Sequence, residues 1–374
     1  MALLPKGIFI VGAKRTPFGA YGGVLKDTPA SHAFAVAARE AFKSANVDPA
    51  LVDTTIVGNV NFLSQCDGGK TPRYCGTYSG VPLSKPALGV NKACGSGYQA
   101  IINGAMDIVT GVAKVSLTGG TENMSSLPLL VRNVRFGTTL GASYQVEECV
   151  SHQALDSFSG LTLVELTENM AKKNGITKRE ADEFTIESHK RWKAAFRNGL
   201  FNSEIAAMTM TVGDHEVEFR NDSLPNPEIK LEEIARHTPI SGTDGIITTG
   251  NSAPVADGAA ALILASEEAL KAHSWTPLVR LVGWACIGVD PDEMNSGAVV
   301  ATKKLLNMAK YQMKDMDLVE INDSFSAHVL ACNKELDADI RKVNVSGGSM
   351  ALGYAPGSST ARAATHLVHQ LMYD

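Results

Sequence analysis

Apolar and polar positions along this chain change their period repeatedly, and the changes mark the elements. TTIVGNV, PALGV and KVSLTGG are short apolar runs bounded by Gly, Pro or polar residues and read as strands. GIFIVGA, between glycine and Pro17, reads as a first buried strand. ASHAFAVAAREAFKSA and SGYQAIINGAMDIV read as helices; in the second, Tyr98, Ile101, Ile102, Ala105, Met106 and Val109 fall at helical spacing. This alternation predicts an α/β fold with helices on the faces of a parallel sheet.

From residue 121 to 249 the texture becomes polar and irregular. It holds SSLPLLVRNVRFGTTLG, a charged helix around KKNGITKREADEFTIESHKRWKAAF, and the loop-like NDSLPNPE. Such a segment reads as an insertion that carries loops over a site. Strand-like runs return in AALILASEEA and PLVRLVGWACIGV, followed by KKLLNMAK, DMDLVEIND, VNVSGG and the helix ARAATHLVHQL. The expected organisation is therefore two α/β halves, residues 1–120 with 250–268 and residues 269–374, separated by a loop domain over 121–249. The last half stops directly after a helix, where such a unit would be expected to supply another strand.

Composition narrows the classes. The 374 residues are 44% hydrophobic and 20% charged, an ordinary globular balance. A net charge of -5 argues against nucleic acid or an anionic membrane as main partner, and an anionic substrate would need a local basic pocket. No apolar run approaches a membrane span, and the N-terminus does not read as a secretory signal. Cys66, Cys75, Cys94, Cys149, Cys286 and Cys332 are widely spread with no CxxC pair, which suits free thiols. His366 and His369 lie three apart without a third ligand nearby, so no metal site is expected.

The stretch NKACGSGYQA admits three readings. Cys94 can be a small core residue, since free cysteine is among the most buried types. Gly95, Gly97 and Ala100 match a dinucleotide-binding G-x-G-x-x-A turn, with Glu122 as candidate for its acidic partner, although Glu122 follows two glycines rather than closing a strand. Finally, Cys94 can be a nucleophile at a strand-to-helix turn. There the helix N-terminus favours thiolate, and the following glycines leave room for an acyl group and free N–H groups for an oxyanion.

Seven motifs occur in order: RTPFG, GNV at 58, NKACGSG, GGTENMS at 119, DGAAA at 257, INDSF at 321 and GGSMALG at 347. Together they resemble the thiolase family, from residue 5 to the end. The segments LPLLVRNVRFGTTLG, KDMDLVEINDSF and THLVHQL are similar to its mitochondrial members. The resemblance implies a layered fold of two similar α/β halves with a loop domain. It also implies acyl-CoA and CoA as partners, with CoA a co-substrate and no covalently bound cofactor, in a mitochondrial homodimer or tetramer. The implied reaction is thiolytic cleavage of a 3-ketoacyl-CoA to acetyl-CoA and a shortened acyl-CoA through an acyl-Cys94 intermediate.

The resemblance makes Cys94 the nucleophile and Asn322 the holder of an oxyanion-site water. Three departures set a second reading beside it, that of a catalytically impaired acyl-CoA-binding or subunit-partner protein. Asp323 and Ser324 replace the glutamate and alanine of N-E-A-F, and the shorter carboxylate is expected to lose reach toward its hydrogen bonds. Tyr354 stands where the family has the histidine of G-H-P. Bringing an ordinary tyrosine from about 10 to ~7 would take about 4 kcal/mol, although a phenol can still donate a hydrogen bond. The family's second cysteine, in C-x-G, belongs to a segment the sequence does not reach. On the CoA side, Asn226 aligns with an arginine, GNSAP displaces the pantetheine-contacting serine to Ser252, and Gly353 precedes Tyr354. Of the remaining histidines, His328 is expected to face away from Cys94 and His189 to lie on the surface of a helix.

Overall fold

The computed structural model describes residues 2–62, 68–150, 154–212 and 214–373; Cys66 lies outside them. Its strands are β1 (Ala2–Arg15), β2 (Gly19–Ala20), β3 (Thr54–Gly58), β4 (Ala87–Val90), β5 (Val115–Glu122), β6 (Leu129–Val131), β7 (Val146–Glu148), β8 (Met208–Val212), β9 (His215–Phe219), β10 (Ala256–Ser266) and β11 (Val279–Trp284). The helices are α1 (Ala30–Ala45), α2 (Thr71–Tyr78), α3 (Ser96–Thr110), α4 (Leu163–Lys173), α5 (Lys178–Arg197), α6 (Leu231–Ala235), α7 (Glu267–His273), α8 (Gly297–Ala309), α9 (Ser326–Leu336), α10 (Ser349–Leu352) and α11 (Pro356–Leu371).

The main sheet runs β11-β1-β10-β5-β3-β4, with β2 beside β10. Only β5-β3-β4 is parallel; β10 pairs antiparallel with both β1 and β5. The sheet is therefore mixed, not parallel throughout, because β10 returns from the far side of the long insertion. Its apolar run is nearly continuous for a physical reason. Ala259, Ala261, Ile263 and Ala265 pack with α1, while Ala260, Leu262 and Leu264 pack with α3 and α11. A strand covered on both faces has no polar side to alternate with. Phe34 and Leu117, both fully buried, contribute roughly 1.5–3 kcal/mol each by this burial.

The expected second sheet differs. Within DMDLVEIND and VNVSGG the structure forms only one parallel bridge, Val319 to Val343. The side chain of Asn344 takes the place of a neighbouring strand: its Oδ1 accepts the Ile321 N–H (2.8 Å) and its Nδ2 donates to the Ile321 carbonyl (3.0 Å). The run PLVRLVGWACIGV supplies β11, which joins the first half's sheet through β1. Between the halves lie the hairpins β6–β7 and β8–β9 and the helices α4 and α5. The charged stretch expected as one helix is broken at Gly175 (φ 65°), and Thr177 starts α5 with a capping box to Glu180. His189 on α5 is buried rather than on the surface. Its Nδ1 accepts the Asn226 N–H at 3.2 Å, and burial lowers its pKa to about 4, so the ring is neutral.

Candidate active site

Cys94 sits on the turn between β4 and α3, with Gly95 as the helix N-cap. The turn depends on Ala93 in the left-handed region (φ 45°), a costly conformation for a residue with a Cβ. Ser96 holds it there: the Lys92 N–H donates to Ser96 Oγ (2.9 Å), and that hydroxyl donates to the Ala93 carbonyl (2.5 Å). From α11, Thr360 donates to the Cys94 carbonyl (3.1 Å) and accepts the Tyr98 N–H (3.2 Å). Gly97 is a contact residue between helices, because a Cβ there would lie 2.5 Å from the Ala361 nitrogen. The glycine expected to leave room for an acyl group thus makes room for α11.

Tyr354 reaches the sulfur from the other half. After α10, Gly353 turns the chain at φ 92°, and a Cβ at that position would strike Leu224 and Ala256. The Tyr354 N–H then donates to the Pro254 carbonyl (2.7 Å), and its own carbonyl accepts the Ala256 N–H (3.0 Å). These bonds tie the residue to the strand entering β10. Asn322 Nδ2 donates to the Tyr354 hydroxyl at 2.8 Å, with Ser324 close by. The phenol lies beside the Cys94 sulfur. Asn322 Oδ1 is buried without a partner.

Electrostatics make the phenol a donor. Burial, then the neighbouring Cys94, push the tyrosine well above its ordinary value near 10, against the smaller opposing effect of Ser324 and Asn322. Burial also raises the Cys94 thiol; the Tyr354 hydrogen bond opposes the rise, and the charge of Glu122 adds to it. Neither group can serve as base for the other at neutral pH.

Two carboxylates brace the site. Asp323 is fully buried, and its oxygens accept the Ser349 (2.6 Å) and Met350 (3.1 Å) N–H groups at the start of α10. The shortened carboxylate therefore keeps its hydrogen bonds, contrary to the expectation from its length, because α10 begins directly beside it. Burial raises its pKa. Glu122, also buried, accepts from Asn59 Nδ2 (2.9 Å) and from the N–H groups of Val60 (3.0 Å), Asn61 (3.1 Å) and Gly357 (2.9 Å). Desolvation raises its pKa to about 7 despite these donors. Its oxygens are committed to protein N–H groups, which removes the acidic partner that a dinucleotide turn requires.

The remaining candidates are placed as follows. Ser252 turns its hydroxyl inward to the Thr248 carbonyl (2.6 Å), while the next residue's N–H donates to the Ser324 carbonyl (2.9 Å). Asn226 is exposed in the loop whose Leu224 packs on Gly353. His328 Nε2 lies 3.0 Å from the Asn295 carbonyl and 3.3 Å from Cys332 Sγ, engaged away from Cys94. His366 Nδ1 pairs with Glu204 (2.7 Å), and His369 Nε2 bonds the Ala13 carbonyl (2.8 Å). Among the described residues no three His, Cys, Asp or Glu side chains form a metal-holding group, and no helix is long and apolar enough to cross a membrane. Cys75 is in the α1-side core, Cys149 donates to the Pro128 carbonyl (2.8 Å), and Cys286 lies 3.3 Å from Lys92 Nζ.

Sequence reasoning did not anticipate the buried network that anchors this region. Arg15 Nε donates to Glu204 (2.6 Å), and its Nη1 and Nη2 donate to the two oxygens of Asp222 (2.7 and 3.0 Å). Asp222 also accepts the Phe18 N–H (2.8 Å), so strand β1 holds the loop that carries Leu224 onto Gly353. The available signal was the RTPFG motif itself, with an arginine closing an apolar strand.

Comparison with known proteins agrees with this architecture. Residues 8–268 match the family described as "Thiolase, N-terminal domain" and residues 275–374 match "Thiolase, C-terminal domain". The human protein named "3-ketoacyl-CoA thiolase, mitochondrial" is 44% identical over 371 residues, 99% of this chain and 93% of its own length. A Staphylococcus aureus protein named "Probable acetyl-CoA acyltransferase" is 36% identical over 365 residues, 97% of this chain and 92% of its own. The crystal structure of human mitochondrial 3-ketoacyl-CoA thiolase superposes with a TM-score of 0.96, covering 99% of this chain and 93% of that one at 44% identity. With both domain families matched in order along the chain, and a cysteine turn facing a residue from the second half across one site, this chain belongs to the thiolase family of acyltransferases.

Proposed function

We propose that the protein is a 3-ketoacyl-CoA thiolase that carries its acyl group on Cys94. The Cys94 thiolate attacks the C3 carbonyl of a 3-ketoacyl-CoA, and the C2–C3 bond then breaks. The bonding pair leaves with acetyl-CoA, which takes up a proton at C2. Free CoA attacks the acyl-Cys94 thioester, releasing the shortened acyl-CoA and the thiolate. The observation that carries this reading is the contact of Cys94, at the head of α3, with the Tyr354–Asn322–Ser324 group. A helix N-terminus and a phenol donor both favour the anionic sulfur.

CoA as co-substrate follows the same reading, and a human relative's structure is titled as a complex with CoA. Ser252 and Gly353 are assigned to the pantetheine side of the CoA site, and the loop at Asn226 to its nucleotide side. Because Ser252 bonds Thr248 and Gly353 carries no side chain, their contribution is shape and backbone. A mitochondrial location extends from the names of the relatives, and a homodimer or tetramer acting in fatty-acid oxidation from the family resemblance; a monomeric mass in solution refutes the assembly.

One observation favours a second reading, an acyl-CoA-binding protein without turnover: the phenol at position 354 has no basic character near neutral pH. Intact mass after brief incubation with a 3-ketoacyl-CoA separates the two. A gain equal to the shortened acyl group, absent in Cys94→Ser, is expected. No gain in folded protein with ligand bound refutes acyl transfer and leaves the binder.

A further inference from the structure

Among the described residues, Cys286 alone of the cysteines is exposed. It lies just past the end of β11 and faces Lys92, the residue that opens the Cys94 turn. Lys92 Nζ donates to the Cys286 sulfur at 3.3 Å. A surface lysine is ordinarily free to swing, but this one is held at both ends. Its backbone N–H donates to Ser96 Oγ (2.9 Å), and its carbonyl accepts the Gly95 N–H (3.0 Å). Its Nζ donates to Gln99 Oε1 (2.8 Å), while Gln99 Nε2 donates to Asn103 Oδ1 (2.8 Å) one turn further along α3. That second bond decides which way the Gln99 amide points: with its NH2 group on Asn103, its oxygen faces the amine. The sulfur stands 3.7 Å from the same oxygen. Side chains of the first half thus aim one amine at one thiol of the second.

We propose that Lys92 and Cys286 form an oxidation-dependent crosslink, a sulfenamide bond between Nζ and Sγ. The co-reactant is a peroxide. One oxygen of hydrogen peroxide passes to the sulfur as the O–O bond breaks, giving the sulfenic acid and a water, and the sulfur loses two electrons to the peroxide. Exposure and an adjacent cation mark the thiols that take this step. Lys92 then releases a proton to solvent, and its nitrogen lone pair attacks the sulfur. The S–O bond breaks, and the hydroxyl leaves with a second nitrogen proton as water. Thiol, ammonium and peroxide become the S–N bond, two waters and one proton, so the protein is lighter by two hydrogens. The bond fastens the Cys94 turn to the segment after β11, and it does not depend on the acyl-transfer reading.

The test treats the folded protein with hydrogen peroxide, quenches it in acid and maps it by mass spectrometry, in the wild type, Cys286→Ser, Lys92→Arg and Cys94→Ser. Lys92 and Cys286 are both exposed, so their substitution leaves the core intact. The wild type should lose two hydrogens with the Lys92 and Cys286 peptides joined, and dithiothreitol should separate them again. Cys286→Ser should give no joined peptide. Lys92→Arg keeps a cation beside the sulfur but offers no free lone pair, so its Cys286 should stop at the sulfenic acid and be captured by dimedone. Cys94→Ser should crosslink as the wild type does, which separates the S–N bond from a disulfide of equal mass. A wild-type Cys286 that remains a thiol, or collects as sulfenic or sulfinic acid beside an unmodified Lys92, overturns the proposal. So does loss of the crosslink in Cys94→Ser, or its persistence in Lys92→Arg.

Discussion

Arg15→Met should be among the most destabilising single changes in this protein. The guanidinium is fully buried and serves four acceptor atoms: one oxygen of Glu204, both oxygens of Asp222, and the Thr16 carbonyl (3.2 Å). Methionine fills much of the volume but leaves two carboxylates in a low-dielectric interior without their shared cation. Removing one partner of such a group costs about 3–5 kcal/mol, which corresponds to roughly 4–6 °C in thermal midpoint for a chain of this size. The sign of the pH dependence is fixed by Glu204. Burial would raise its pKa, but His366 and Arg15 outweigh burial and hold it far below the usual carboxylate range. A depressed carboxylate stabilises the fold above its unfolded value and loses that contribution as pH falls. The wild type should therefore lose stability below about pH 4.5 more steeply than the variant, and the penalty of Arg15→Met should be larger at pH 6 than at pH 3. Urea denaturation at both values measures it. Lysine at 15 keeps the charge but not the fork, so Arg15→Lys should fall between the two. A penalty under about 1 kcal/mol at pH 6, or one equal at both pH values, would refute the reasoning.

Three further outcomes follow from the same structure. Gly97→Ala places a methyl 2.5 Å from the Ala361 nitrogen and should cost about 1–3 kcal/mol while displacing α3 from α11, visible as a lower thermal midpoint and slower Cys94 alkylation. Glu320 is pushed up to about 7 by burial and has one carboxylate oxygen without a partner, so its contribution to stability declines as pH rises from about 4.5 to 7; Glu320→Gln should flatten that slope in denaturant titrations. His328→Ala should leave acyl-enzyme formation within about twofold of wild type, since its ring is engaged by Asn295 and Cys332, and a larger loss in single-turnover mass measurements would restore it as a candidate base.

The sequence by itself determined the layers and the cysteine turn between strand and helix. The period of ALILA, and of the helix after Cys94, needs only local burial to be read, because a strand covered on both faces and a helix covered on one impose different spacings. The order of motifs placed Cys94 and Asn322, and the tyrosine opposite them. What pairs with what was decided by the tertiary structure. That β10 runs antiparallel between β1 and β5, that Asn344 stands in for a strand beside Ile321, and that Gly97 accommodates a helix rather than a ligand all depend on segments far apart in the chain. Asp323 keeps its hydrogen bonds because α10 starts beside it, a distance that side-chain length alone could not supply. Ser324 and Tyr354 looked like two separate losses in the sequence. Folding ties the first through its carbonyl to the Ala253 N–H and the second through its hydroxyl to Asn322 Nδ2, contacts that no local pattern shows.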